Sequence, residues 1–261
     1  MKVSNNIYAA ERQIQILKIL EKKGRATVSE LSKLFNTSGV TIRFDLNKLS
    51  SEGQIKRTHG GAIYIGEKQK SELPFDMRKK RQQDAKTSIG KAAAELIEDG
   101  DIVFIGGSTT AVSMIPYLQN KQGVTIITNS LEIAYKLAHL THLDIITIGG
   151  KIKRETLSLV GYSFENIIQE INIGKVFLSG AGFTIEDGLT DINHEEIVMR
   201  RKILEKTKKI IALVDSTKWG KVSLVTFVET NKINTIITDS GAPEDIVSRL
   251  NKLGVNTILA P

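Results

Sequence analysis

The sequence predicts two folded parts: a small domain of three helices and a β-hairpin, followed by a larger α/β domain with a mostly parallel sheet. Helically spaced apolar residues and a glycine-bearing hairpin fill the first quarter of the chain. Short apolar runs separated by helical stretches fill the rest, a pattern typical of buried parallel strands. Most of the excess positive charge also lies in the first quarter.

Composition narrows the class of protein. The chain has 261 residues, of which 41% are hydrophobic and none is cysteine. Disulfides and thiolate metal sites are therefore excluded, and the four histidines show no metal-ligand spacing, so no metal or cofactor is expected. No apolar run reaches the roughly 18 residues of a membrane span, and the N-terminus lacks the apolar stretch of a signal peptide. We expect a cytoplasmic protein with no membrane partner.

The net charge of +7 is unevenly distributed. Residues 1–65 hold eleven Lys and Arg against five Asp and Glu, whereas residues 66–261 hold twenty-five against twenty-four. A basic module attached to a neutral one indicates a polyanionic partner for the first module. Charge alone favours the simpler interpretation, a solvated basic face.

The first domain is predicted over residues 1–65. A first helix spans 8–22, and "TVSELSKLF" begins a second, with Thr27 and Glu30 in a capping box. A two-residue turn precedes a third helix over 38–53, which Ser38 caps and Gly53 ends. "QIKRTHGGAIYI" follows as a β-hairpin. Three short helices, a tight turn and a hairpin predict a winged helix-turn-helix.

The third helix is predicted to contact DNA with the side facing away from its apolar stripe. Ile42, Leu46 and Leu49 form the stripe, and Phe44 lies near the middle of the other side. Helices of this kind place such a face in the major groove. The candidate DNA contacts on this helix and on the hairpin are Ser38, Thr41, Arg43, Phe44, Asn47, Lys48, Arg57 and His59.

A charged linker is predicted over 66–74, and the second domain over 75–261, beginning with one helix from Phe75 to Ile97. Small and polar clusters follow five of its predicted strands. Because ligands bind at the carboxyl ends of strands in open α/β sheets, these clusters are expected to converge. They supply the candidate ligand contacts Gly107, Ser108, Thr109, Thr110, Asn129, Ser130, Gly149, Gly150, Lys151, Gly180, Gly182, Asp215 and Lys218.

The first cluster, "GGSTT", opens a helix and resembles a phosphate cradle, since helix N-termini favour anions. A plain strand-to-helix turn explains it equally well. Lys151 either neutralises phosphate or belongs to a solvated face. Glu195 either binds sugar hydroxyls or marks a surface helix start. Asp215 and Lys218 either contact ligand or form a structural ion pair.

The motifs as a set resemble the DeoR-type family of bacterial transcriptional repressors. "TVSELSKLFNTSGVTIRFDLNKLSSEGQIKRTHGGA" resembles the family's DNA-binding signature, and "GGSTT", "TNS", "IGGKIKRETLSLVG", "GAGF", "GLT" and "DSTKWG" resemble its sensor half. The resemblance implies a sensor fold of the ribose-5-phosphate isomerase and CoA-transferase group. It also implies a homo-oligomer, a dimer or tetramer, that binds double-stranded operator DNA under control of a phosphorylated sugar or related metabolite. By motif match it implies effector contacts at Ser108, Thr109, Thr110, Asn129, Gly149, Gly180, Gly182, Asp215 and Lys218.

The chain departs from this family pattern at Phe44, where the family usually has arginine, and at Thr37, where it usually has valine. Arginine can pair with guanine, whereas phenylalanine can pack only on a thymine methyl group or against the hairpin. A surface for a protein partner is a further explanation of an exposed aromatic residue.

Three functions are compatible with these patterns. The first is a metabolite-controlled repressor of a carbohydrate-utilisation operon, which is not an enzyme. The second is a sugar-phosphate isomerase-like enzyme with a basic N-terminal appendage, in which Glu195, Asp215 and Lys218 move protons. The third is a coactivator or scaffold that binds protein through its winged module. The winged-helix signature favours the first over the second.

Overall fold

The computed structural model describes residues 9–51, 55–58, 60–64, 74–161 and 164–261. The chain separates into two compact units, Met1–Leu73 and Pro74–Pro261, which we call the first and second units. Gly53, His59 and the predicted linker before Pro74 lie outside the described residues. The predicted role of His59 therefore stays a prediction.

The first unit contains three helices and a three-stranded antiparallel sheet in the order β1-β3-β2. Its elements are α1 (Ala9–Lys23), β1 (Arg25–Thr27), α2 (Val28–Phe35), α3 (Gly39–Ser51), β2 (Ile55–Thr58) and β3 (Gly61–Tyr64). The predicted capping box is present, because Glu30 N donates to Thr27 Oγ1 at 3.2 Å and Thr27 N donates to Glu30 Oε2 at 2.7 Å. Strand β1 was not predicted, because a run of three residues is too short to show the alternation of apolar and polar residues that indicates a strand.

The core of the first unit lies between its helices and the sheet. Ile42, Leu46 and Leu49 of α3 are buried there as the stripe predicts, together with Ile16, Leu20, Leu31 and Ile55. Asp45 is also fully buried, and its carboxylate accepts from Arg12 Nε at 2.6 Å and from Gln13 Nε2 at 2.8 Å. This ion pair fastens α3 to α1, since both donors lie on α1.

The second unit is built on a seven-stranded sheet whose neighbouring strands all pair in parallel. The elements of its first half are α4 (Phe75–Lys80), α5 (Gln83–Glu95), β4 (Ile102–Ile105), α6 (Thr109–Val112), β5 (Thr125–Thr128), α7 (Leu131–Leu137), β6 (Asp144–Thr147), β7 (Lys151–Lys153), β8 (Ser158–Val160) and α8 (Glu165–Glu170). Those of its second half are β9 (Ile173–Leu178), β10 (Gly182–Thr184), β11 (Gly188–Asp191), α9 (His194–Glu205), β12 (Thr207–Leu213), β13 (Val225–Val228), β14 (Thr235–Asp239), α10 (Glu244–Lys252) and β15 (Asn256–Ala260).

The strand order of the large sheet is β15-β14-β12-β9-β4-β5-β6, and each of these strands overlaps one of the short apolar runs for which the sequence predicts a buried strand. The fold-class prediction of a mostly parallel α/β domain is confirmed. Strands β7 and β8 form a separate antiparallel pair, and β10, β11 and β13 form a small antiparallel sheet. Apolar side chains are buried in two clusters, one that includes Phe164, Met199 and Trp219 and one that includes Ile89, Met114 and Leu137.

The single helix predicted from Phe75 to Ile97 is wrong, because the structure divides it into α4 and α5. Arg81 has an extended backbone, and Gln82 adopts the left-handed conformation with φ 51°. Polar contacts hold the end of α4, since Arg78 O accepts from Arg81 N at 3.2 Å and from Lys86 Nζ at 2.5 Å. The buried lysine of α5 thus caps the preceding helix.

Candidate functional sites

The loops after β4 and β5 meet at the carboxyl edge of the large sheet. Gly107 N donates to Asn129 Oδ1 at 3.1 Å, and a Cβ on Gly107 would lie 3.4–3.6 Å from Ser158 and Ser130. Ser108 caps α6, its Oγ accepting from Ala111 N at 3.0 Å. The first two predicted clusters therefore converge in space.

The β7–β8 hairpin lies beside this loop pair. Leu159 N donates to Asn129 O at 2.7 Å, and Leu131 N donates to Leu157 O at 3.0 Å. Gly149 has φ +123°, and a Cβ there would approach Leu159 to 2.6 Å, so the glycine is required by the fold. Gly150 and Lys151 follow it and are exposed.

Lys151 and Glu195 line an open cleft of about 380 Å³, which we call the outer cleft. Ile152, Lys153, Arg154 and Glu155 complete its lining. Glu195 is exposed, whereas the next residue, Glu196, is 2% exposed. The carboxylate that turns inward from α9 is therefore that of Glu196.

Glu196 lies at the centre of a buried polar network that the sequence did not predict. Its Oε1 accepts from Ser158 Oγ and from Asn193 Nδ2, both at 2.8 Å, and its Oε2 accepts from Arg200 Nη2 at 2.6 Å. Arg200 Nη1 also donates to Asp191 Oδ2 at 2.7 Å. The network joins β8, β11 and α9.

Asp215 and Lys218 lie at the carboxyl end of β12. Asp215 is 1% exposed, and its Oδ1 accepts from Thr217 N at 3.1 Å and from the Thr217 hydroxyl. Burial lowers the pKa of Lys218, and the neighbouring carboxylates of Asp215 and Asp191 offset part of that effect. Lys218 therefore connects the Asp215 loop electrostatically to the network around Glu196.

Lys86 of α5 belongs to the same charged group. Its side chain is buried, and burial lowers its pKa to about 8, against the opposing effect of Asp215. Lys218 and the guanidinium groups of Arg78 and Arg81 lower this pKa further, because all carry like charge. Two lysines that are far apart in the sequence thus share one carboxylate neighbour.

The fourth cluster, Gly180 to Gly182, is packed by the protein itself. A Cβ on Gly182 would lie 2.2 Å from Lys221 O, and one on Gly180 would lie 2.7 Å from Thr190 O. The close approach of these carbonyl groups explains both glycines without a ligand.

The residues that the sequence missed at this edge are Lys86, Ser158, Asp191, Glu196 and Arg200. One signal was available for Lys86, which shares the apolar face of α5 with Ile89 and Ala93 at helical spacing. Glu196 and Arg200 show the same signal on α9 with Ile203. A charged residue on a buried stripe indicates a partner or a ligand.

The exposed side of α3 forms the candidate nucleic-acid interface. Arg43, Asn47 and Lys48 are exposed, and Phe44 is 69% exposed, so most of the Phe44 side chain is accessible for contact. Ser38 Oγ accepts from Thr41 N at 3.1 Å, which caps α3 and leaves both hydroxyl groups near the start of the helix. Arg57 Nη1 donates to Gly61 O at 3.1 Å and steadies the hairpin.

Two family models match the chain along most of its length. Residues 12–68 match a DeoR-like helix-turn-helix domain, and residues 81–240 match the DeoR C terminal sensor domain. The chain belongs to the DeoR family. The same assignment follows from relatives that are similar over nearly the full chain. The resemblance of the motif set is confirmed, and this DeoR-family protein is a transcriptional regulator.

Three relatives illustrate the similarity. The HTH-type transcriptional regulator IolR of Bacillus subtilis (strain 168) is 35% identical, covering 91% of this chain and 94% of its own. The transcriptional repressor GlcR of the same strain is 33% identical over 97% of each chain. A putative aga operon transcriptional repressor of Escherichia coli O157:H7 is 32% identical over 96% of this chain and 93% of its own.

The solved structures that match this DeoR-family regulator are less similar to it in sequence than these three relatives are. Ribose 5-phosphate isomerase A from Neisseria gonorrhoeae matches with a TM-score of 0.40 and 12% identity, over 55% of this chain and 56% of its own. A 4-hydroxybutyrate CoA-transferase from Porphyromonas gingivalis matches with the same TM-score and identity, over 78% of this chain and 61% of its own. None of the helices in the described part of the chain has the length and hydropathy of a membrane span. The described residues also contain no group of three or more His, Asp or Glu side chains that could hold a metal ion.

Proposed function

We propose that this regulator represses a carbohydrate-utilisation operon in the cytoplasm and that a phosphorylated sugar controls its binding to operator DNA. One observation carries the proposal: Lys86 and Lys218 lie beside a buried carboxylate at the sheet edge where hydroxyl and amide side chains also gather. Cations bind a phosphate group, and neutral hydrogen-bonding groups bind sugar hydroxyls.

Gly107, Asn129 and Ser130 supply the neutral side of this effector site, and Ser108 to Thr110 lie beside them at the start of α6. Asp215 orients the loop that carries Lys218, since it caps the short helical turn Ser216–Lys218. Gly149, Gly180 and Gly182 act by allowing close backbone packing. Lys151 and Glu195 are assigned to the outer cleft, where they would contact only an extended effector.

A thermal-shift screen tests the proposed effector class. Sugar and polyol phosphates are compared with the same compounds lacking phosphate, at matched ionic strength. We expect at least one phosphorylated compound to raise the melting temperature by several degrees while its unphosphorylated partner leaves it unchanged, because the ammonium groups act on the phosphate. Equal shifts from both members of every pair would contradict the proposal.

An isomerase activity has less support from the geometry. Arg200 engages both Asp191 and Glu196, and Asp215 is bonded to Thr217, so the buried carboxylates at this edge already hold donors. Incubating the protein with aldose and ketose phosphates separates the two functions. We expect no turnover from a regulator, whereas measurable interconversion would favour the enzyme.

For DNA, we propose that α3 contacts the major groove as part of a homo-oligomer, a dimer or tetramer. The exposed residues of α3 and its start are the proposed base and phosphate contacts, and Arg57 with His59 contributes from the hairpin. A mobility shift on DNA from the protein's own gene neighbourhood distinguishes this role from that of a protein-binding scaffold.

Replacing Phe44 with arginine is expected to change sequence preference. Phe44 is exposed on the helix face that enters the groove, where it can pack on a thymine methyl group. The variant Phe44→Arg is expected to favour guanine at one position by about 1–3 kcal/mol, since arginine pairs with its O6 and N7 atoms. Selection of binding sites from a random DNA pool measures this change. Identical preferred sites for both proteins would show that Phe44 reads no base.

A further inference from the structure

The outward face of α3 begins with two apolar side chains. Val40, Phe44 and Asn47 fall within about 60° of one another around the helix, because each turn takes about 3.6 residues. Ile42 and Leu49 lie on the opposite side and are buried. Val40 is 73% exposed and Phe44 is 69% exposed. Two large hydrophobic side chains, one helical turn apart, are therefore presented to solvent, and we call them the Val40–Phe44 pair.

The position of this pair along α3 places it where base edges are read. Val40 is the second residue of the helix, and Phe44 lies one turn further on. The recognition helix of a helix-turn-helix enters the major groove with its N-terminal residues against the base edges. The two residues are about 6 Å apart along the helix axis, which corresponds to about two base-pair steps. The pair therefore spans more than one base pair of a half-site.

The charges around the pair favour nucleic acid over a protein partner. Arg43 and Lys48 are exposed and flank the outward face on its two sides, and the first turn of α3 contains no acidic residue. Cations in these positions suit the phosphates that border a groove. A stable protein interface normally buries about 800 Å² on each partner, far more than two side chains supply.

The single arginine of α3 lies beside the outward face and not in its middle. A Cβ built on Gly39 would lie 3.5 Å from Arg43 Nη1 and 3.5 Å from Val28 Cγ1 of α2, so the guanidinium is directed toward the start of α3 and toward α2. Arginine is the side chain that pairs with guanine most often. The middle of the outward face therefore offers apolar groups where a guanine-reading helix would offer a guanidinium.

We propose that Val40 and Phe44 each contact the methyl group of a different thymine, so that the operator half-site carries two thymines within about three base pairs. The C5-methyl group of thymine is the apolar group that base pairs present in the major groove. This inference rests on the proposed DNA-binding role and adds Val40 to it as a second base-reading residue. Asn47, the next residue of the same face, suits an adenine beside these thymines, since an amide pairs with its N6 and N7 atoms.

Deoxyuridine is the probe for this contact, because it differs from thymidine only in lacking the methyl group. Each thymine of a half-site selected from a random DNA pool is replaced in turn, and fluorescence anisotropy at one fixed salt concentration gives the Kd of the full chain. We expect two positions at which the natural protein loses affinity about threefold, and a loss of about tenfold when both are replaced, as burial of a single methyl group predicts.

The variants Val40→Ala and Phe44→Ala assign the two positions. Both side chains are exposed and lie outside the core of the first unit, so the variants are expected to fold. Each should lose the response to deoxyuridine at one position and keep it at the other, which a general weakening of DNA binding would not produce. Ile14→Ala is the matched control, because Ile14 is an exposed apolar residue of α1. It is expected to keep both responses.

Three results would overturn the inference: a selected half-site without thymine, a half-site whose thymines all tolerate deoxyuridine, or alanine variants that keep both responses. In each of them the natural protein still binds its selected DNA, so the proposed DNA-binding role stands. A natural protein that selects no DNA sequence would overturn that role together with the inference, and would favour the protein-binding scaffold.

Discussion

Arg200→Met is expected to destabilise the second unit by about 3–5 kcal/mol, the usual cost of removing one partner from a buried ion pair. Arg200 binds Asp191 and Glu196 at 2.7 and 2.6 Å, and its guanidinium also lies 5.2 Å from the Phe227 ring centroid. Without it, two buried carboxylates lose the cation that they share. Urea unfolding followed by the fluorescence of Trp219, the single tryptophan and a buried residue of this unit, measures the loss.

The neighbouring Arg201 provides the control. It is exposed, and among the described residues its side chain donates to the Thr226 carbonyl, so Arg201→Met is expected to cost less than about 1 kcal/mol. A small loss in Arg200→Met, comparable to that of the control, would show that the network around Glu196 does not hold β8, β11 and α9 together.

Asp45→Asn is expected to destabilise the first unit by about 2–4 kcal/mol and to abolish operator binding at 37 °C. The carboxylate of Asp45 is fully buried and bonds both Arg12 and Gln13, so the substitution removes the negative charge from a buried ion pair. The cost is smaller than for Arg200 because Arg12 retains some access to water. Hydrogen exchange of α1 and α3 reports the loss, while Trp219 fluorescence monitors the second unit in the same sample.

Glu11→Gln is the matched control, since Glu11 is an exposed acid on α1 with no bond to Asp45. It is expected to leave exchange in α3 unchanged. If Asp45→Asn exchanges like the control and binds DNA normally, the buried ion pair is not what positions the DNA-contacting helix.

The strands and their loops could be predicted because a parallel sheet imposes its own order. Once the runs at 102–105 and 125–128 are buried parallel strands, their carboxyl ends must lie at one edge, and the contact between Gly107 and Asn129 follows. The helix-turn-helix could be predicted equally well, because its capping box and apolar stripes are local features of the sequence.

The remaining site residues depend on information that is not local. Lys86 and Lys218 become neighbours only when α5 packs against the sheet. The phase of α9 decides whether Glu195 or Glu196 turns inward, and Asn193 sets that phase because its side-chain oxygen accepts from Glu196 N at 3.4 Å. That cap turns Glu196 and Arg200 inward and leaves Glu195 in solvent.

The most direct test of the central claim is fluorescence anisotropy of labelled operator DNA, titrated with the protein in the presence and absence of the sugar phosphate found by the thermal-shift screen. The natural protein is expected to change its operator affinity at least tenfold when that compound is added. Lys218→Gln is expected to bind the same DNA with unchanged affinity and to lose the response, because its first unit is intact and its phosphate ligand is gone. A full response from Lys218→Gln would contradict the claim that the carboxyl edge of the sheet is the effector site.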